Sequence, residues 1–262
     1  MSETLNYLKI VSRSNGVNSN KERQIRNLKR RITKDFMKSI DAENVVINGE
    51  EKILLITRDK GDEQIKKIKS LPDDNFELGD VVMWNDIPYI VYKVDADRRI
   101  QTKGRMYECN TKLRWKNKSG KIIERFGKGE DATKYSEGTQ GGYTLRIGEF
   151  QLKVIVTLDE ETVLIRRDDR FMIDSEQFLN VLSENEVLPM VYRVTRRNVV
   201  TGTFQDKGYV EITMVEDQFI SGHDDPENML ACRRSELIET GSDDCENTFS
   251  TTEETADEGG WL

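Results

Sequence analysis

Apolar residues near the start of the chain recur at helical spacing. In "SNKERQIRNLKRRITKDFMKSI" (19–40) they follow one another at intervals of three and four, which places them on one side of a helix. These apolar residues are Ile25, Leu28, Ile32, Phe36 and Ile40. Ser19 and Glu22, three positions apart, form a capping box that marks the start of the helix. The pattern therefore predicts an amphipathic N-terminal helix whose apolar side needs a surface to pack on.

The other side of this helix is basic. Arg23, Arg30, Lys34 and Lys38 fall opposite the apolar side. Such a face is typical of a surface that meets nucleic-acid phosphates or an acidic protein. It is also typical of an ordinary solvated helix face, and the sequence leaves both interpretations open.

From residue 44 onward the pattern becomes one of short strands separated by turns. Asn48-Gly49 and Asn85-Asp86 are turn dipeptides between runs of β-branched and apolar residues. Further turns are expected at 103–104, 119–120, 159–160, 201–202 and 207–208, whereas 62–72 is compatible with a short helix or a loop. We therefore predict a mainly β fold with an N-terminal amphipathic helix and small antiparallel β-barrel or sandwich units.

Composition changes divide the chain into five predicted regions. These are a basic helical segment (1–43), a first β-barrel-like unit (44–126), a long glycine-rich loop (127–142), a second β-rich unit (143–218) and an acidic C-terminal tail (219–262). A short helix or excursion is expected at 175–187 within the second unit. The two β regions are compatible with two small domains or with one interrupted sandwich.

The glycine-rich segment "GKGEDATKYSEGTQGG" (127–142) holds five glycines and no large aliphatic residue. It predicts an exposed loop with Lys128, Lys134 and Tyr135 as candidate contact residues. The segment lacks the G-x-x-x-x-G-K-[ST] pattern of a phosphate-binding loop. A contact or bridging role is therefore favoured over nucleotide binding.

Charge is distributed unevenly along a chain whose net charge is −8. Residues 1–40 carry ten Lys/Arg against three acids, whereas 216–262 carry fourteen acids against two arginines. This asymmetry favours contacts between oppositely charged surfaces of neighbouring chains. No apolar run approaches the ~20 residues that cross a bilayer, so no membrane partner is expected.

Residues able to do acid–base, nucleophilic or metal chemistry are sparse. His223 is the single histidine, and its acidic neighbours are typical of a solvated turn rather than a metal site. Cys109 lies in a strand pattern and is expected to be a buried thiol. We therefore expect no catalytic residues, no metal and no cofactor, and we predict that the protein is not an enzyme.

One stretch resembles a known group of proteins. "FELGDVVMWNDIPYIVYKVD" followed by "KGRMYECNTKLRWKNKSGKIIE" resembles structural proteins from the neck, or head–tail connector region, of tailed bacteriophages and prophages of Gram-positive bacteria. The positions that carry the resemblance are Gly79, Asp80, Trp84, Tyr89, Lys103, Gly104, Met106, Cys109, Asn110, Leu113 and Trp115. Residues 76–125 carry the specific part of the likeness.

The resemblance implies a virion component, assembled in the host cytoplasm, that acts as a head-closure or connector subunit. It implies a homo-oligomeric ring between portal and tail, in contact with other neck, portal or tail proteins and non-specifically with packaged DNA. The alternative is a nucleic-acid-binding module that uses the basic helix over 21–38. The length of the chain and its acidic tail are not features of simple stopper proteins.

Overall fold

The computed structural model describes residues 19–59, 61–97, 99–132, 134–140, 143–149, 151–174, 188–204 and 206–233, with the backbone alone for 134–140, 143–149 and 204. In this part of the chain the fold is mainly β, with one helix near the N-terminus and two six-stranded antiparallel, barrel-like sheets. The predicted fold class is therefore confirmed. The helix or excursion predicted at 175–187 lies outside the described residues.

Helix α1 spans Asn20–Phe36 and begins as the capping box predicts. The hydroxyl of Ser19 accepts a hydrogen bond from the amide of Glu22 at 3.1 Å. Phe36 is the buried residue of the helix, whereas Leu28 is 42% exposed and Ile40, past the helix end, is 96% exposed. The predicted apolar side is thus fully covered only at Phe36, with Ile25 and Ile32 half-buried.

The first barrel is closed and contains six strands. In sheet order, β1 is followed by β2, β3, β6, β5 and β4, and β4 pairs back with β1. The bounds are β1 (Ala42–Ile47), β2 (Glu50–Arg58), β3 (Ile65–Ser70), β4 (Val81–Trp84), β5 (Ile87–Val94) and β6 (Lys103–Glu108). Because closure pairs every strand on both sides, this barrel has no open edge.

The second sheet has the order β12, β13, β15, β11, β8, β7, and β14 pairs with β15 outside this path. Its bounds are β7 (Thr111–Lys116), β8 (Ile122–Asp131), β11 (Gln151–Thr157), β12 (Arg170–Met172), β13 (Val191–Asn198), β14 (Thr203–Phe204) and β15 (Lys207–Asp217). The outer strands β7 and β12 approach each other, and Trp115 packs edge-on against Phe171 with 5.9 Å between ring centroids. This contact curls the sheet into a barrel-like shape.

Each unit has its own apolar core, and a third cluster joins the two. Ile90 and Cys109, from the first barrel, pack against Ile155 of β11. A second contact is made by glycines: a Cβ on Gly79, whose φ is +84°, would lie 1.7 Å from the carbonyl oxygen of Gly208. The absence of side chains at these positions therefore lets the two backbones touch.

Turn dipeptides with Asn or Asp are confirmed where they close hairpins. Asn48, Asn85 and Asp86 all have positive φ, the conformation that two-residue hairpin turns require. The turns predicted at 103–104 and 207–208 are wrong, because these residues lie in β6 and β15. In β6, Gly104 faces the ring of Phe76, which a Cβ would approach to 2.8 Å. Similarly, 65–70 is a strand rather than a helix or loop, because Ile68 and Ser70 fill the barrel interior.

The structure divides the chain differently from the composition. The first barrel ends at Glu108, so β7 and β8, predicted to belong to the first unit (44–126), are strands of the second sheet. The predicted long loop at 127–142 is also wrong. Residues up to Asp131 belong to β8, and β9 follows at Lys134–Gln140. Gly127 serves close packing, because a Cβ there would lie 2.8 Å from Val154 Cγ1.

Candidate interaction surfaces

The predicted basic face of α1 is exposed. Arg23, Arg30 and Lys34 are exposed on the helix, and Lys38 is exposed just past its end. On another side of α1, Lys29 forms an ion pair with Asp73, which follows β3. The helix is therefore tied to the first barrel at Lys29 and buries Phe36, while the four predicted residues remain open to solvent.

A second basic surface lies on the outside of the first barrel, and sequence reasoning missed it. Antiparallel pairing sets Lys69 directly opposite Lys103, and Lys67 directly opposite Arg105. Lys93 of β5 is the partner of Arg105 on its other side. We call these five residues the basic strip.

The residues of the basic strip point outward because their neighbours point inward. Ile68 of β3 is 1% exposed and Met106 of β6 is 0% exposed, so the alternate positions face solvent. Side chains directly opposite on one face of an antiparallel pair have Cβ atoms about 5 Å apart, and like charges at that distance destabilise the sheet. The basic strip therefore holds repulsion that an anionic partner would relieve.

One carboxylate offsets part of this charge. Asp59, just after β2, forms ion pairs with Lys67 at 2.9 Å and with Arg105 at 3.4 Å. Among the described residues, Lys69, Lys93 and Lys103 form no ion pair. Asp95 and Asp97, which follow β5, also interact electrostatically with Arg105 and Lys103, so Lys69 and Lys93 carry the least compensated charges.

The three candidate loop contacts predicted from the sequence all lie in strands. Lys128 lies in β8, is only 4% exposed, and donates a hydrogen bond to the side-chain oxygen of Gln64. It is therefore part of the junction between the units and not a loop contact, which corrects the prediction. Lys134 and Tyr135 lie in β9, where the side chains are outside the described part of the structure.

Strands β9 (Lys134–Gln140) and β10 (Tyr143–Glu149) form a hairpin that extends the β8–β11 pair. The β8–β11 ladder ends at Asp131 and Leu152, and the hairpin ladder resumes at Lys134 and Glu149. Seven residue pairs give an arm about 23 Å long, at ~3.3 Å per residue. Within the described residues, neither strand pairs with any other strand. We call this element the hairpin arm.

A buried ionic cluster holds the segment after β15 against the second sheet. Arg170 of β12, whose side chain is 2% exposed, donates two hydrogen bonds to the carboxylate of Asp224, at 2.9 and 3.0 Å. It also donates to Asp217 at 2.9 Å and to the Sγ atom of Cys232 at 3.0 Å. Asp224 additionally accepts from the amides of Ile220 and Cys232, both at 2.8 Å. This geometry satisfies the buried charges and fixes the segment in place.

The thiols of this cluster and of the junction are suppressed as nucleophiles. Burial raises the pKa of the Cys109 thiol to about 12, although nearby Lys128 acts against this rise. Burial and a hydrogen bond to Asp224 raise the pKa of Cys232 to about 12 as well. His223 is exposed. No cluster of three or more His, Cys, Asp or Glu suited to a metal ion occurs in the part of the chain that the structure describes.

Two of the residues that carry the sequence resemblance, Asp80 and Asn110, hold the backbone through side-chain hydrogen bonds. Asp80 accepts hydrogen bonds from Asn48 Nδ2 at 2.8 Å and from the amide of Glu77 at 2.6 Å. The side chain of Asn110, between the units, bonds to both the amide and the carbonyl of Gly129. The segment 76–125 therefore supplies β4, β5 and β6 of the first barrel and its connection to the second sheet.

Comparisons with known proteins give no family. No family model matches the sequence, and no curated protein matches it. Solved structures of MrkH, described as a c-di-GMP-dependent transcription regulatory factor, match with a TM-score of 0.24, 10% identity and coverage of 83% of this chain and 89% of that chain. The c-di-GMP complex of MrkH from K. pneumoniae matches with a TM-score of 0.22, 12% identity and coverage of 82% and 92%. TM-scores this low do not show a shared fold. No described helix has the length and apolar character needed to span a bilayer.

Proposed function

We propose that this chain is a structural subunit of the neck of a tailed-phage virion, a head-closure or connector protein that forms a ring between portal and tail. The observation that carries the proposal is the hairpin arm. An isolated two-stranded hairpin is marginally stable in water, and its outer edges present unpaired N–H and C=O groups. Contact with a neighbouring copy would satisfy them.

The rest of the chain suits such a role. Two barrel-like units with separate cores, joined by backbone contact at Gly79 and Gly208, make a rigid block. A head-to-tail contact repeated between identical blocks closes a ring when the rotation between neighbours permits it. The likeness of residues 76–125 to phage neck proteins supports the neck of a virion as the assembly to which such a ring would belong.

Electron microscopy and mass measurement of the purified chain, alone and with portal and tail complexes of the same phage, test this proposal. We expect rings or a co-complex, and we expect heads without attached tails when the gene is deleted. A chain that stays monomeric with all these partners would overturn the proposal, as would normal particles without the gene.

A proline in the hairpin arm tests the observation itself. Leu145→Pro removes an amide and disrupts the pairing with Gly138, so we expect lost assembly with an unchanged melting temperature. Lys118→Pro is the control, because Lys118 occupies the second position of a turn closed by the Gly120 amide and the Asn117 carbonyl. Assembly that tolerates both prolines would contradict a role for the arm.

A nucleic-acid-binding module is the second candidate, and the exposure of Arg23, Arg30 and Lys34 on α1 favours it. A salt titration of duplex DNA binding by the full chain separates the two functions. A true phosphate footprint loses affinity with a log–log slope of about −0.9 per contacted phosphate. The triple change of these residues to Glu should then abolish binding, and binding that survives it would exclude the helix as the site.

A further inference from the structure

We propose that the basic strip is the docking surface for the acidic C-terminal segment, residues 235–262, of the same chain. The strip sets Lys69 against Lys103, and both Lys67 and Lys93 against Arg105, on the outside of a closed barrel. Asp59 forms ion pairs with Lys67 and Arg105, whereas Lys69 and Lys93 form none within the described residues. The surface therefore selects an anionic occupant.

The chain itself supplies an occupant of the right charge. Residues 235–262 contain nine carboxylates and no Lys or Arg. Because the segment holds no Lys or Arg of its own, a basic partner for these carboxylates has to come from elsewhere in the molecule.

The length of the segment limits how far it can extend. The described chain ends at Arg233, which lies 3.9 Å from Asp169 on the second unit. A stretch of 28 residues, the length of 235–262, extends at most about 90 Å. Tethering to the same molecule gives an effective concentration in the millimolar range, which favours this occupant over a free polyanion.

In the docked state the acidic segment covers the basic strip. While the segment occupies the basic strip, nucleic acid is excluded from it, because both would use the same lysines. This proposal does not depend on the assignment to a phage neck.

Zero-length carbodiimide cross-linking of the full chain, followed by mass spectrometry, tests the contact. We expect Lys69, Lys93 and Lys103 to cross-link to carboxylates of 235–262, and we expect these products to disappear in 1 M salt, where the screening length is about 3 Å. Lys34 and Lys38, equally exposed on and beside α1, are the control, with yields at least ten-fold lower. Absent cross-links, or cross-links that favour the control lysines, would overturn the proposal.

A mixture of isotopically labelled and unlabelled chains shows which molecule provides the segment. Cross-links confined to chains of one label support docking within a molecule. In an equal mixture, docking between molecules would make about half of the cross-links join a labelled to an unlabelled chain, and this result would overturn the proposal and assign the occupant to a neighbouring copy.

DNA binding provides the second readout. The full-length variant Glu253→Gln/Glu254→Gln/Asp257→Asn/Glu258→Gln should bind duplex DNA at least ten-fold more tightly than the unmodified chain. Adding Lys69→Gln/Lys93→Gln/Lys103→Gln should cancel the gain, because these exposed positions lie outside the core. An unchanged DNA affinity in the first variant would overturn the proposal. A gain that persists in the second would also overturn it, because the segment would then cover another surface.

Discussion

Arg170 belongs to a strand of three residues, yet its guanidinium connects that strand to four positions between Asp217 and Cys232. A carboxylate with the burial of Asp224, whose side chain is 0% exposed, is tolerated only with a charged partner and further hydrogen bonds. Both conditions are met here. No sequence pattern indicates the cluster, because Arg170 and Asp224 are 54 residues apart and only the fold brings them together.

Arg170→Met tests whether buried Asp224 depends on Arg170 for its stability. We expect a loss of about 3–5 kcal/mol in the free energy of unfolding, because Asp224 would remain buried without its partner. Urea denaturation monitored by tryptophan fluorescence measures the change. Arg99→Met is the matched control, since Arg99 and its partner Asp97 are both exposed, and its unfolding midpoint should stay the same. Equal midpoints for the two variants would contradict the prediction.

The same pair predicts a pH dependence. Burial alone would raise the pKa of Asp224, but the amides of Ile220 and Cys232 and the guanidinium of Arg170 outweigh it and hold the pKa below its ordinary value. Ionised Asp224 therefore stabilises the fold above its unfolded pKa of about 3.9, and this contribution is lost as the pH falls through the folded pKa.

Urea titrations between pH 6 and pH 3 measure this effect. The unmodified chain should lose stability below about pH 4, whereas Arg170→Met should lose less, because its buried Asp224 gains by protonation. Parallel curves for the two proteins would refute this linkage.

At the scale of elements, the sequence predicted the helix start and the hairpin turns that are specified by residues close together in the chain. The capping box of Ser19 and Glu22 located the start of α1, and Asn48-Gly49 located a hairpin, because each is read from adjacent residues. Glycines were misinterpreted where tertiary packing requires them. Gly104 was expected in a turn and Gly127 in a loop, but each makes room for an atom distant in the sequence. The basic strip was not predicted for the same reason, because the pairing of three strands brings its residues together.

Helix α1 gives a matched pair of substitutions at this scale. Phe36→Asp should place a charge where the side chain is 3% exposed and should cost at least about 3 kcal/mol, or roughly 6–12 °C in melting temperature. Ile40→Asp, in the same sequence pattern but 96% exposed, should leave the melting temperature unchanged. Thermal melts followed by circular dichroism compare them, and an unchanged melt for Phe36→Asp would contradict the packing of the helix.

At the scale of the whole molecule, the junction between the two units depends on backbone contact. Gly79 and Gly208 touch without side chains, and Lys207 forms an ion pair with Glu77 at 2.6 Å beside them. Ile90, Cys109 and Ile155 add an apolar contact. Because the two barrels meet at several independent points, we expect them to unfold as one cooperative unit.

Gly79→Ala tests the junction, with Gly120→Ala as its control. Both residues have positive φ, +84° and +79°, so the backbone strain of alanine is the same, but Gly120 has open space around it. We expect Gly120→Ala to cost about 1 kcal/mol and Gly79→Ala at least about 2 kcal/mol more, measured by urea denaturation. Equal costs would mean that the two units do not rely on this contact.

The ionic cluster around Arg170 also determines how the molecule bears mechanical load. A pull on the C-terminal end would enter the fold at Cys232 and Asp224 and pass through Arg170 into β12, before it reached the ladder of β15. Once the acidic segment has left the basic strip, such a pull would therefore load the second unit before the first barrel.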